Sequence, residues 1–164
     1  MVTAAIVFAE AAAIYEDLNA VQTQSYGAAA RGGITRAEII ISDSRIHFPR
    51  VNQPNTLVCL SQEAYNAYYR IIRPDGLLLI DSHHVSFQQR AEARQVSLPM
   101  YREFVEEVGN AAAYNICMLG AVLELTKLVK TESVLNVLNS RFSGEKLSLN
   151  EKALQIGRKL ALQK

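Results

Sequence analysis

The chain has 164 residues, of which 49% are apolar and 20% are charged. This size and composition are typical of one globular domain, so residues 1–164 are expected to form a single domain. The net charge of +1 provides no strong field toward nucleic acid or an anionic membrane, and neither is an expected partner.

Two cysteines, Cys59 and Cys117, stand alone in apolar segments and are expected to be buried free thiols. No Cys-x-x-Cys or Cys/His cluster suggests a zinc or iron–sulfur site. Reduced thiols favour a cytoplasmic location.

The first residues lack a basic segment and are interrupted by Glu10, and uncharged runs fall short of the roughly 20 residues of a membrane helix. Neither a signal peptide nor a membrane span is therefore predicted.

The first half of the chain alternates helices with apolar strands. Alanine-rich residues 2–17 predict a helix that is apolar on most sides and therefore covered on most sides. Ser61 is placed to cap a helix that begins "QEAYNAYYRII". The segment "DSRIHFP" predicts a turn and a short strand that ends at Pro49. Four segments predict strands, the last three typical of buried ones: residues 21–25, 35–42, 56–61 and 77–81.

The second half is predicted to be mostly helical. The polar run "QQRAEAR" predicts a loop or a solvated face. Pro99 and Gly109 are placed at the start and stop of a helix over "PMYREFVEEVG". Two more helices are predicted over residues 132–141 and 149–162, with the "SLNE" of residues 148–151 as a capping box for the last.

An apolar helix, "AAAYNICMLGAVLELTKLV", is predicted between the helix over "PMYREFVEEVG" and the one over residues 132–141. Three residues in or next to it stand out. Asn110 is placed to cap it. Asn115, expected in mid-helix among apolar neighbours, needs hydrogen-bond partners and so either bonds a nearby loop or faces a subunit interface. Gly120 is costly in a helix and predicts close approach of another element. These features indicate tight helix packing or an interface rather than catalysis.

Continuous aliphatic strands with interleaved helices predict an α/β protein with a mostly parallel sheet, flanking helices and a helical C-terminal part. Open α/β sheets usually begin with a strand whose loop feeds the first helix. This sequence starts directly in the helix.

The stretch "SYGAAARGG" connects the first two predicted strands and allows two interpretations. Its glycines, Gly32 and Gly33, could serve only to bend a connection. Alternatively the loop faces an anion or a partner, with Arg31 supplying the charge. It lacks the GxGxxG spacing and does not open a helix, so it is not a dinucleotide fingerprint.

The stretch "DSHHV" follows a predicted buried strand, at the sheet edge where α/β proteins bind ligands. Asp81, His83 and His84 are the residue types of a metal site or a proton shuttle. Adjacent residues of a strand point to opposite sides, however, which disfavours one ion between the two histidines. A surface turn is the favoured interpretation. The sequence shows no catalytic triad, Walker motif or acid–base pair of carboxylates.

Four stretches, in the right order, together resemble the gamma subunit of 2-oxoacid:ferredoxin oxidoreductases. They are "VQTQSYGAAARGGITRAEIIISDSRIHFPRV", "TLVCLSQEAYNAYY" with "RPDGLLLIDS", "VGNAAAYNICMLGAV" and "FSGEKLSLNEKALQIG". Members of that family usually begin with a strand and a GxGGQG turn, which this sequence lacks. The resemblance therefore implies a Rossmann-like sheet short of a central strand, with exposed edges that favour association or instability.

The resemblance implies a subunit without a redox centre of its own, acting with alpha, beta and in some cases delta subunits. The complex decarboxylates a 2-oxoacid, such as pyruvate or 2-oxoglutarate, with coenzyme A as acyl acceptor and ferredoxin as electron acceptor. Thiamine diphosphate and iron–sulfur clusters belong to the other subunits. The gamma subunit helps to enclose the active site.

The family motif falls on Tyr26, Gly27, Arg31, Gly32 and Gly33, which are implied to face coenzyme A or a partner subunit. The question of whether the isolated chain forms a homodimer stays open. Two other interpretations also stay open: a scaffold module of the same fold, and an independent nucleotide-binding enzyme, which the missing glycine turn disfavours.

Overall fold

The computed structural model describes residues 1–25, 34–88 and 91–164. Within these ranges the strands are β1 (Asn19–Ser25), β2 (Arg36–Ser42), β3 (Thr56–Cys59), β4 (Leu77–Asp81) and β5 (Arg94–Leu98). The helices are α1 (Val2–Glu10), α2 (Gln62–Tyr68), α3 (Met100–Val108), α4 (Tyr114–Thr126), α5 (Thr131–Arg141) and α6 (Gly144–Leu162). A π-helical turn, Ala11–Tyr15, continues α1, and a 3-10 turn, Tyr69–Ile71, continues α2.

The strands form two sheets. β3, β4 and β5 are parallel, in that order, with Val58 beside Leu79 and Leu79 beside Val96. This sheet and its flanking helices confirm the predicted α/β class. β1 and β2 instead pair antiparallel as a separate hairpin, from Asn19 with Ser42 to Ser25 with Arg36.

Strand β4 lies between two hydrophobic cores, and all five of its residues are buried. Side chains alternate across a strand, so Leu77 and Leu79 face the larger cluster, which draws on α1 and α3 to α6. Leu78 and Ile80 face a smaller cluster that includes Tyr65 of α2. The continuous apolar sequence of β4 therefore follows from burial on both faces.

Helix α1 is covered on most sides, as its apolar sequence predicts. Its buried residues are Ala4, Ala5, Val7, Phe8 and Ala9. The helix packs against the β1–β2 hairpin as well as α4 and α5. Among the described helices, none combines the length and apolarity that a bilayer crossing requires.

Helices α4 and α6 cross at Gly120 and Gly157 with backbone in direct contact. A Cβ added to Gly157 would overlap the carbonyl oxygen of Cys117 and lie 2.7 Å from its carbonyl carbon. A Cβ added to Gly120 would overlap the carbonyl oxygen of Leu154 and lie 3.0 Å from its carbonyl carbon. Only glycine fits at either position, because the obstructing atoms are backbone and cannot rotate away.

Two predicted helix signals are confirmed. The Ser61 hydroxyl accepts a hydrogen bond from the Ala64 amide at 3.2 Å and so caps α2. Gly109 ends α3 in the left-handed conformation, with φ of +84°. The predicted capping box is wrong, because α6 begins at Gly144 and residues 148–151 lie inside it.

The structure corrects the strand prediction at two places. "DSRIHFP" contains no strand, because no neighbour pairs with it and Phe48 is exposed rather than packed. Strand β5, after the polar run, was not predicted. Its short sequence alternates buried Val96 and Leu98 with half-buried polar residues, and pairing with β4 makes it a strand.

Glu16, just after the π-helical turn, caps helix α5 from far along the chain. Its Oε1 accepts hydrogen bonds from the Lys130 amide at 3.0 Å and from the Ser133 hydroxyl at 2.5 Å. The Lys130 Nζ lies 3.5 Å from Oε2. A carboxylate at a helix N-terminus is favoured by the free amides and the dipole there. Glu16 thus joins the N-terminal and C-terminal halves of the chain.

Acid is expected to destabilise the protein partly through Glu16. The hydrogen bond from Ser133, helped by those from Lys130, lowers the pKa of Glu16 below its ordinary 4.5. The stabilisation from the contacts of ionised Glu16 is therefore complete at a pH above its ordinary pKa, and it is lost as the pH falls through the lower, folded-state pKa. We expect Glu16→Gln, which keeps an acceptor oxygen, to reduce the stability lost between about pH 6 and about pH 3 in urea unfolding. Glu92→Gln, at an exposed position, is the control; if both variants show the wild-type pH dependence, Glu16 does not act electrostatically.

Candidate functional site

The carboxyl ends of β3, β4 and β5 lie along one edge of the parallel sheet, where α/β proteins bind their ligands. β4 ends at Asp81, a fully buried carboxylate. Buried carboxylates need donors, because an unpaired one is costly to desolvate. The contacts of Asp81 therefore define the geometry of this edge.

Asp81 accepts three hydrogen bonds from three different segments. Oδ1 accepts from the His83 amide at 2.8 Å. Oδ2 accepts from the Tyr101 amide at 2.7 Å and from the Tyr114 hydroxyl at 2.5 Å. Tyr101 lies in the first turn of α3 and Tyr114 is the first residue of α4. One carboxylate thus fixes the turn after β4 and the starts of two helices.

Tyr114 acts as a hydrogen-bond donor toward Asp81. Burial, and then the hydrogen bond to the Asp81 carboxylate, raise the pKa of the Tyr114 phenol well above its usual range. The phenol therefore keeps its proton near neutral pH and donates a hydrogen bond to the carboxylate. This arrangement holds the fold at the sheet edge, and the Asp81 carboxylate is itself buried away from solvent.

Four aromatic rings cluster beside Asp81. The ring centroids of His83 and Tyr101 lie 4.9 Å apart, nearly stacked, and those of His84 and Tyr101 lie 4.7 Å apart. Tyr101 also meets Tyr114 edge to face at 5.4 Å. His83 and His84 are exposed. The cluster gives the sheet edge an imidazole-rich surface.

The prediction that His83 and His84 point to opposite sides is wrong. Their ring centroids are only 4.6 Å apart, because residues 82–84 form a turn after β4 rather than part of the strand. The surface-turn interpretation of "DSHHV" agrees with this geometry. Within the described residues, no three His, Cys, Asp or Glu side chains lie close enough together to hold a metal ion.

The glycine loop with Tyr26, Gly27, Arg31, Gly32 and Gly33 lies outside the described residues. Its role as a surface that faces coenzyme A or a partner stays a prediction. The described residue nearest to it with unusual contacts is Arg36, at the start of β2. Arg36 pairs with Glu38, and its guanidinium carbon lies 5.4 Å from the Tyr68 ring centroid. The contact with Tyr68 connects the start of β2 to helix α2.

Asn110 does not cap α4, contrary to the prediction. α4 begins at Tyr114, after Ala113, and no side chain caps it. The Asn110 side chain instead accepts a hydrogen bond from the Ala112 amide at 2.9 Å, which forms a turn ahead of the helix. Asn115 is the second residue of α4 and is half-buried, rather than lying in mid-helix. Its role at an interface stays a prediction.

The features that sequence reasoning missed are the hydrogen bonds of Asp81 from the amide of Tyr101 and the hydroxyl of Tyr114. A polar residue at the end of a buried strand was the only signal, and it indicated the edge but not the partners. The partners lie 20 and 33 residues further along the chain, beyond the reach of local patterns.

Comparison with known proteins relates this chain to one group. The family model described as "Pyruvate ferredoxin/flavodoxin oxidoreductase" matches residues 1–160. The chain is 42% identical over 136 residues to the 2-oxoglutarate synthase subunit KorC of Methanocaldococcus jannaschii, across 82% of this chain and 73% of that protein.

Two solved structures share its fold. The gamma subunit of a keto/oxoacid ferredoxin oxidoreductase from Geobacter sulfurreducens PCA has a TM-score of 0.87 and 35% identity, across 99% of this chain and 92% of that one. The 2-oxoglutarate:ferredoxin oxidoreductase of Magnetococcus marinus, solved with 2-oxoglutarate, coenzyme A and succinyl-CoA bound, has a TM-score of 0.88. At 20% identity, across 99% of this chain and 29% of that one, it supports the fold alone.

Proposed function

The chain belongs to the pyruvate ferredoxin/flavodoxin oxidoreductase family, and from this membership we propose that it is the gamma subunit of a 2-oxoacid:ferredoxin oxidoreductase. The observation that carries the proposal is the match of residues 1–160 to the family, joined to 42% identity with a 2-oxoglutarate synthase subunit. That relative makes 2-oxoglutarate the first 2-oxoacid to test.

In the proposed reaction a 2-oxoacid loses its carboxyl group as CO2 and its acyl group passes to the thiol of coenzyme A. The two electrons released pass one at a time to ferredoxin, and the proton of the thiol is released. Alpha and beta subunits, with a delta subunit in some complexes, would supply thiamine diphosphate and iron–sulfur clusters. We place the complex in the cytoplasm, where free thiols stay reduced.

The two cysteines of this chain do not fit a role as cluster ligands. Cys59 and Cys117 are buried in different hydrophobic clusters, and burial raises the pKa of each thiol to about 12. An iron–sulfur cluster is held by several cysteines close together, and these two lie apart in different cores. In this proposal the chain helps to enclose the active site of the complex. The surface it would supply consists of α3, α4 and the turn after β4, which Asp81 holds together.

The proposal is tested by purifying an affinity-tagged copy of the chain from its native host. We expect subunits that contain thiamine diphosphate to copurify. The complex should reduce viologen only when both 2-oxoglutarate and coenzyme A are present, and the isolated chain should not. Pyruvate and branched-chain 2-oxoacids tested in parallel would establish the substrate preference. Absence of any thiamine diphosphate protein under gentle conditions would contradict the proposal.

Within this proposal the glycine loop contacts coenzyme A or a partner subunit through Arg31. Arg binds phosphate and carboxylate groups in a bidentate fashion, so removal of its charge should weaken that contact. We expect Arg31→Ala to raise the KM for coenzyme A by about tenfold, or to reduce assembly of the complex to a similar degree. Arg73→Ala, at an exposed position, is the matched control. Wild-type kinetics together with wild-type assembly would exclude this role for Arg31.

A further inference from the structure

The long connection between β2 and β3, residues 43–55, forms neither helix nor strand. We call it the β2–β3 segment. Connections longer than about 12 residues without secondary structure are uncommon in compact domains and are usually either functional or linker segments. The segment is anchored at its end, where the Arg73 amide donates to the Pro54 carbonyl and the Leu77 amide donates to the Asn55 carbonyl.

The backbone ahead of this anchored end is open. Across the described part of the chain, residues 45–53 make no backbone hydrogen bond to other protein groups. Pro49 and Pro54 fix φ and limit the conformations available to the segment. A restrained segment with free amides and carbonyls loses little entropy when it binds another surface.

Within the segment, residues 45–50 combine an aromatic ring with positive charge. Phe48 is 62% exposed, although burial of such a ring is worth about 2 kcal/mol. Arg45 and Arg50 flank it, are exposed, and form no ion pair within the described residues. Several other cations do form ion pairs, among them Arg102 with Glu103, Lys127 with Glu124, Arg141 with Glu10 and Arg158 with Glu124.

We propose that the β2–β3 segment is a docking surface for an acidic region of another subunit of the complex, with Phe48 as the anchor. The inference rests on the proposed function, since it requires a partner subunit. Exposed aromatic rings next to arginines are typical of the residues that dominate binding energy at interfaces. Unpaired arginines select a partner that carries carboxylates.

A second copy of this chain offers a poorer complement. Its clustered acidic residues on α3 are already engaged, Glu103 and Glu106 with Arg102 and Glu107 with Lys152. Docking onto α3 of a second copy would have to break these pairs. A different subunit with free carboxylates has no such cost.

The experiment uses the complex purified through the tagged chain from its native host. Two variants are compared with wild type: Phe48→Ser, and Arg45→Glu combined with Arg50→Glu. We expect each to reduce the copurified thiamine diphosphate protein by at least about tenfold. The wild-type complex should also dissociate more as salt rises, and the charge-reversed variant should lose that dependence. Leu162→Ser is the matched control, because Leu162 is 67% exposed at the end of α6.

The outcomes separate this inference from the proposed function. Retention of the thiamine diphosphate protein by wild type and by both variants alike would overturn the docking surface and leave the proposed function standing. Failure of wild type itself to retain that protein would overturn both. A dimer of wild type that the Phe48→Ser variant loses, with retention unchanged, would assign the segment to self-association and overturn the inference. Thermal unfolding of each variant at the wild-type temperature establishes that the substitutions act at the surface.

Discussion

Gly157→Ala is expected to destabilise the protein by about 3 kcal/mol or more, a drop in Tm of roughly 10 °C. The added Cβ would overlap the carbonyl oxygen of Cys117, which belongs to the backbone of α4. Relief requires α4 and α6 to move apart, and their contact fills much of the larger core. Gly120→Ala should act similarly through the Leu154 carbonyl. Thermal and urea unfolding, followed by circular dichroism, measure both effects.

Gly109→Ala is the matched control for these substitutions. Gly109 has a φ of +84°, and nothing lies within 4 Å of its added Cβ, so only the left-handed backbone is penalised, by about 1 kcal/mol. If Gly157→Ala costs no more than this control, α4 and α6 do not cross in backbone contact. The double variant of Gly120 and Gly157 should cost less than the sum of the singles, because one separation of the helices relieves both overlaps.

Asp81→Ala is expected to cost about 3 kcal/mol or more in the free energy of unfolding. The substitution leaves three donors without their acceptor: the amides of His83 and Tyr101 and the hydroxyl of Tyr114. It also frees the turn after β4 from the starts of α3 and α4. Asp81→Asn should cost less than Asp81→Ala, because the amide retains one acceptor oxygen. It should still destabilise, because its NH2 group replaces the other oxygen and faces a donor.

Tyr114→Phe isolates one of the three contacts of Asp81 and should cost about 1 to 2 kcal/mol. Tyr15→Phe, at a ring that is 43% exposed, is its control and should be neutral. A double-mutant cycle with Asp81→Ala should show strong coupling, since the hydroxyl loses its value once the carboxylate is gone. Additive effects at Asp81 and Tyr114 would contradict the network.

Much of the fold follows from local sequence. β4 is predicted residue for residue, because a continuous aliphatic run between a "RPDG" turn and a polar residue has few alternatives. The Ser61 cap and the Gly109 stop follow from the preferences of single residues. β5 does not, because its short polar–apolar alternation becomes a strand only through its pairing with β4.

The candidate site was less predictable than the fold. The end of β4 identified the correct sheet edge, but the acceptor role of Asp81 depends on residues that folding brings near. Asn110 illustrates the opposite error: a favourable capping residue forms a turn with Ala112 because α4 starts further along the chain. Glu16, which caps α5, had no signal in the sequence, since its partner Lys130 is 114 residues away.

The position of β4 between two unequal cores has a consequence for local opening. The smaller cluster holds α2 against one face of the sheet, whereas the larger one joins α1 and α3 to α6 on the other. Loss of the smaller cluster would expose Leu78 and Ile80 but leave the helical side intact. The amides of α2 should therefore exchange with solvent through a partial opening of lower free energy, while those of β4 exchange only when the whole chain unfolds. The α2 face of the sheet is therefore expected to open locally, whereas the face covered by α1 and α3 to α6 opens only on global unfolding.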